Sequence, residues 1–172
     1  MFVDGCMHLK VLTLRSKEVP RKAWAGYADL WIIHVSSSLK VIGGDAFRGV
    51  AQLTMLDLTV VTSMGERTFE EYSSLVEVTL GDGITCIGGT ALDGTIVGRV
   101  AVLAKLPDAF VDIFDRPIVA EASLALSTST IPVSFLKDCQ SVETPSRHAV
   151  TEIGSYAFQN CTNLNKISVG CW

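Results

Sequence analysis

The chain has 172 residues, of which 48% are hydrophobic and 19% charged; this excludes intrinsic disorder and allows one domain with a substantial core. Its formal net charge is −4, and the basic residues are scattered apart from Arg15, Lys17, Arg21 and Lys22, so no basic field points to nucleic acid. The most apolar stretches, "TIVGRVAVLAKL" and "RPIVAEASLALSTSTIPVSFLK", are cut by Arg99 and Lys105 and by Glu121 with two prolines, so neither is expected to enter a membrane, which takes about 20 apolar residues in a row.

In chain order, the opening "MFVDGCMHLKVLTLR" has no apolar run of signal-peptide length. The sequence therefore predicts no secretion signal and a cytoplasmic default, with a surface or secreted place if the chain is a piece of a longer protein. Within it, "GCMHLKVLTL" (5–14) is the back half of a unit that then recurs. "EVPRKAWAGYADLWIIHV" (18–35), "VIGGDAFRGVAQLTMLDL" (41–58), "SMGERTFEEYSSLVEVTL" (63–80) and "CIGGTALDGTIVGRVAV" (86–102) follow in register. "LPDAF" opens a poorly fitting unit, with "SLAL" (123–126) as its proposed closing strand, and the pattern is degenerate over 103–130. "TIPVSFLKDCQSV" (130–142) and "EIGSYAFQNCTNLNKISV" (152–169) restore it. The anchors are Val19, Ile42, Met64, Ile87, Leu106, Ile131 and Ile153, with successive differences of 23, 22, 23, 19, 25 and 22 in residue number. Seven anchors and a truncated first unit predict about eight repeats in a single solenoid over 1–172.

Each unit has the same physical logic. The Leu-x-x-Leu-x-Leu segment alternates as a half-buried strand does: Leu9/Leu12/Leu14, Leu30/Ile33/Val35, Leu53/Leu56/Leu58, Leu75/Val78/Leu80 and Leu164/Ile167/Val169. Ile-Gly or Ile-Pro then turns the chain. A ring follows in the Ala-Phe segment, as in Phe47, Phe69, Phe110 and Phe158, and inserts between layers. With about 22 residues between strands, neighbouring strands stack in parallel, and only stacking gives each unit a core.

The pattern "VTEIGSYAFQNCTNLNKISV" (150–169), with "FLKDC" and "VVTSMG", resembles the BspA-type leucine-rich repeats over nearly the whole chain. The resemblance implies a curved solenoid with a parallel sheet on the concave face. It places short turns, 3-10 or short helical segments, or extra strands on the convex face. It also implies adhesion and the binding of other macromolecules.

The strand alternation predicts an outward set of Val11, Thr13, Ile32, His34, Met55, Asp57, Glu77, Thr79, Ala125, Lys166 and Ser168. Thr13, His34 and Asp57 fall on successive rungs, which raises a hydroxyl–imidazole–carboxylate triad. An exposed cross-strand pair is the plainer reading, since no oxyanion hole or pocket accompanies the three. Cys6, Cys139 and Cys161 share a repeat place with Tyr27, Val50 and Tyr72, so they are expected to pack rather than bind metal. "GDGITCIGG" (81–89) lacks the Lys-Ser/Thr of a phosphate loop and matches the repeat's own turn. "NCT" (160–162) is a sequon whose Asn160 matches Gly49, and His8 and His148 are expected to be solvated. The expectation is a non-catalytic scaffold binding a protein through its strand face, without cofactor, nucleic acid or membrane insertion, and with self-association through uncapped ends. The alternative is a spacer or assembly segment of a longer repeat protein.

Overall fold

In the computed structural model, the described residues are 8–102, 118–124, 130–131, 133, 137, 141–143 and 151–162. Long strands alternate with two-residue strands: β1 (Val11–Leu14), β2 (Glu18–Val19), β3 (Ile32–Val35), β4 (Val41–Ile42), β5 (Met55–Leu58), β6 (Ser63–Met64), β7 (Glu77–Leu80), β8 (Cys86–Ile87) and β9 (Ile96–Val102). Then come β10 (Ile118–Leu124), β11 (Thr130–Ile131), β12 (Ser141–Glu143) and β13 (Glu152–Ile153). Every pairing is parallel, and each strand pairs with the equivalent strand of the neighbouring turn. The result is a parallel β-solenoid whose first four turns are complete.

The long strands form ladders β1-β3 and β5-β7-β9-β10-β12, and the short ones form β2-β4-β6-β8 and β11-β13. In β1 and β5 the outward residues are exposed and Leu12, Leu14, Leu56 and Leu58 are buried. On the opposite wall, Val19, Ile42, Met64 and Ile87 point into the same core. The glycine after four of the anchors ties the turns together: the Gly43, Gly65, Gly88 and Gly154 amides donate to the Val19, Ile42, Met64 and Ile131 carbonyls at 2.8, 2.8, 2.9 and 2.7 Å. A Cβ at Gly65 would stand 2.3 Å from the Gly44 nitrogen. The glycine is therefore demanded by close approach of the preceding turn's backbone, not by its own dihedrals.

The Ala-Phe segments are runs of turns; no helix occurs among the described residues. Phe47 and Phe69 stack with centroids 5.5 Å apart and planes 3° apart, and Tyr72 meets Phe69 edge-on at 5.7 Å. The Tyr72 hydroxyl donates to the buried Phe47 carbonyl at 2.6 Å and the Thr95 hydroxyl to the Phe69 carbonyl at 2.7 Å. Burial pushes the Tyr72 phenol well above its ordinary pKa. The place shared by Tyr27, Val50, Tyr72 and Cys161 is thus a packing place, with Val50 and Tyr72 fully buried and Tyr27 and Cys161 half-buried. Asn160 and Gly49 correspond for a backbone reason: both are left-handed, at φ 60° and 76°, where Gly and Asn are the favoured residues.

Three expectations change. The strand in the degenerate unit is β10, and its register sets Ser123 opposite Ala101 and Leu124 opposite Val102. Ser123 therefore takes the place assigned to Ala125, a displacement of two residues. A slip of two keeps the alternation in phase, so the apolar pattern alone could not detect it. Ile153 is 42% exposed although its partner Ile131 is fully buried, so the anchor place is not buried in every unit. His8 is not merely solvated: its Nδ1 lies 2.6 Å from an Asp29 carboxylate oxygen.

Candidate functional site

The outward strand positions form columns. Backbone register places Val11 beside Ile32 and Thr13 beside His34, and Met55 beside Glu77 and Asp57 beside Thr79. Val11, Ile32 and Met55 are 44%, 38% and 64% exposed, giving an apolar row on the strand face. Glu77 and Thr79, by contrast, are half-buried. Lys166, Ser168, Leu106, Phe110, Cys139, His148 and Ala125 lie outside the described residues.

Thr13 and His34 are register partners across β1 and β3, but Asp57 joins them in neither a triad nor a cross-strand pair. β3 and β5 are not joined by ladder bonds, and the Asp57 carboxylate instead accepts the Thr59 amide at 2.9 Å. No hydrogen bond links His34 to either residue among the described contacts. The gap also changes the core side of β3, where Ile33 and Val35 are only half-buried while Leu56 and Leu58 of β5 are fully buried.

The alternation-based list missed residues one place earlier in each unit. Lys10, Trp31, Thr54 and Val76 occupy the second position of Leu-x-x-Leu-x-Leu and are exposed, Trp31 by 54% and Val76 by 59%. Strict alternation begins only at the residue after each of them, so alternation alone did not place them on the exposed face. A recess of about 360 Å³ is lined by Lys10, Asp29, Trp31 and Gln52. A second, of about 230 Å³, lies between β3 and β5, lined by Trp31, Ile32, Ile33, Thr54, Met55 and Asp57.

A charged cluster on the turn side is structural in geometry. Asp45 is buried and left-handed at φ 57°. Its carboxylate accepts Arg67 Nε at 2.7 Å and Nη2 at 3.2 Å from one neighbouring turn, and Arg21 Nη2 at 3.0 Å from the other. The Arg67 hydrogen bonds hold the Asp45 pKa down at about 2, against the opposing cost of burial. Arg48 and Glu70 form a second ion pair between turns. Among the described residues no group of three or more His, Cys, Asp or Glu is placed to hold a metal ion, and no helix is long and apolar enough to cross a membrane.

No curated protein matches the chain. Among solved structures, it is similar to a leucine-rich repeat protein from Bacteroides ovatus ATCC 8483, with 14% identity and a TM-score of 0.52. That likeness covers 92% of this chain and 51% of the other, so the chain spans about half the length of the solved structure. At this identity the likeness shows the fold alone. The sequence model of the BspA type leucine rich repeat region matches residues 2–117 and 129–170 in six copies, against the eight expected from the anchors. With a repeat-by-repeat match over most of its length and the stacked parallel strands just described, the chain belongs to the BspA-type leucine-rich repeat family.

Proposed function

We propose that the chain is a non-catalytic scaffold that binds a protein partner through its concave strand face. The observation that carries this reading is the exposed apolar row Val11, Ile32 and Met55, flanked by Trp31 and Val76 and bordered by Thr13, His34, Asp57 and Thr79. A contiguous apolar patch with a polar rim is the usual composition of a protein-binding surface. The solenoid supplies the rigid, extended support that such a surface needs. Lys166 and Ser168 continue the same columns in the repeat pattern, and adhesion at a cell surface is the setting that the family resemblance favours. No side-chain hydrogen bond joins His34 to Thr13 or Asp57 among the described residues, so these three do not form a nucleophilic triad.

The test is the triple variant Ile32→Ser, Met55→Ser, Asp57→Ser, assayed against a partner captured by cross-linking to the unaltered protein. The expected result is at least about tenfold weaker binding with an unchanged circular dichroism spectrum. Unchanged affinity in a folded variant removes the concave face from consideration.

A further inference from the structure

At every described joint of the concave ladder but one, successive long strands are hydrogen-bonded to each other. The Trp31 and Ile32 amides donate to the Lys10 carbonyl at 3.1 and 3.2 Å, and the Val76 and Glu77 amides donate to the Thr54 carbonyl at 2.7 and 3.2 Å. The equivalent step, from the Thr54 and Met55 amides to the Trp31 carbonyl, is missing. Backbone donors and an acceptor are therefore left unpaired beside an exposed indole, at the place where the two recesses meet.

We propose that the recess at Trp31 is a saccharide-binding subsite that takes a neutral pyranose ring. A pyranose has an apolar C–H face and a rim of hydroxyls, each both donor and acceptor. The Trp31 indole supplies a platform for the first. Lys10 donates, Asp29 accepts and Gln52 does both for the second. His8 engages one Asp29 oxygen at 2.6 Å, which steadies the carboxylate and leaves its other oxygen for a sugar hydroxyl. Bonds to the Lys10 carbonyl anchor the main chain that carries the Trp31 indole. The volume of about 360 Å³ lies at the lower end of the ~300–1,000 Å³ of small-ligand sites.

Other occupants fit the chemistry less well. A purely apolar anchor would bury the polar groups of Lys10 and Gln52 without hydrogen-bond partners, which is costly. An anionic ligand would meet the Asp29 carboxylate beside the single ammonium of Lys10. The subsite shares Trp31 with the flank of the protein-binding surface, but the two readings are tested separately, this one with free sugars and the other through Ile32, Met55 and Asp57 with a protein partner.

The experiment is saturation-transfer difference NMR and tryptophan fluorescence titration of the full chain. The probes are the methyl glycosides of glucose, galactose, mannose and N-acetylglucosamine, with glucuronic acid as the anionic control. Saturable binding of at least one neutral sugar at millimolar concentration is expected. Trp31→Ala should weaken it at least about tenfold, Trp31→Phe should retain most of it, and Gln52→Ala should weaken it without changing the circular dichroism spectrum. The proposal is overturned if no neutral sugar saturates, if Trp31→Ala or Gln52→Ala binds like the unaltered protein, or if glucuronic acid binds as well as the neutral sugars.

Discussion

Asp45 shows how a single residue can serve three turns at once. Its left-handed φ of 57° puts the carboxylate between Arg21 of one turn and Arg67 of another, and the side chain is almost wholly buried. A buried carboxylate is tolerated only because its partners satisfy it. The offsets from Arg21 to Asp45 and from Asp45 to Arg67 are 24 and 22 residues, close to the repeat length. The pairing was therefore legible as opposite charges one unit apart, although the left-handed backbone was not. The pH consequence has a definite sign. The pKa of Asp45 is lowered in the folded state from 3.8 to about 2, so the group contributes stability above about pH 4 that is lost as pH falls through about 2. Asp45→Asn should lower the melting temperature at pH 7, and the difference from the unaltered protein should shrink between about pH 4 and pH 2. Parallel melting curves across that range, measured by circular dichroism, would show that the ion pairs do not couple to folding.

At the scale of the element, the alternation of leucines and the anchor places were legible because burial imposes them. A strand with one face in the core must alternate, and Val19, Ile42, Met64 and Ile87 are buried in the same sense in each of four turns. Two features were not legible for equally physical reasons. The β10 register differs by two residues, which leaves every side chain on its expected face. The open joint between β3 and β5 leaves no trace in a pattern that repeats equally well on both sides of it. Trp31 escaped for a third reason, because strict alternation begins only after it. The open joint makes its own prediction in hydrogen exchange. Glu77, bonded to Thr54 across the closed β5–β7 joint, should have a strongly protected amide, while the equivalent Met55 amide beside β3 should exchange orders of magnitude faster. Equal protection at Met55 and Glu77, resolved by amide NMR, would mean that β3 and β5 are zipped in solution and that the recess at Trp31 closes with them.

For the whole molecule, the long-strand ladder is interrupted but the β2-β4-β6-β8 ladder is continuous, so cohesion across the open joint falls to the turn side, where the Lys22, Trp24 and Gly26 amides donate to the Gly44, Ala46 and Arg48 carbonyls. In a solenoid each turn is stabilised by its neighbours, and the loss at one layer depends on how many neighbours share it. Phe69 is fully buried, stacked on Phe47 from one side and met edge-on by Tyr72. Trp24, its counterpart two turns earlier, is half-buried and meets Tyr27 edge-on at 5.5 Å. Phe69→Ala removes a ring whose neighbours cannot collapse without separating the turns, so the loss should approach about 3–5 kcal/mol. Trp24→Ala deletes a larger side chain but opens a site that solvent already reaches, so it should cost clearly less. Urea denaturation followed by far-ultraviolet circular dichroism measures both. A Trp24→Ala loss equal to or greater than that of Phe69→Ala would mean that side-chain size, not the number of stacked neighbours, sets the stability of the layers.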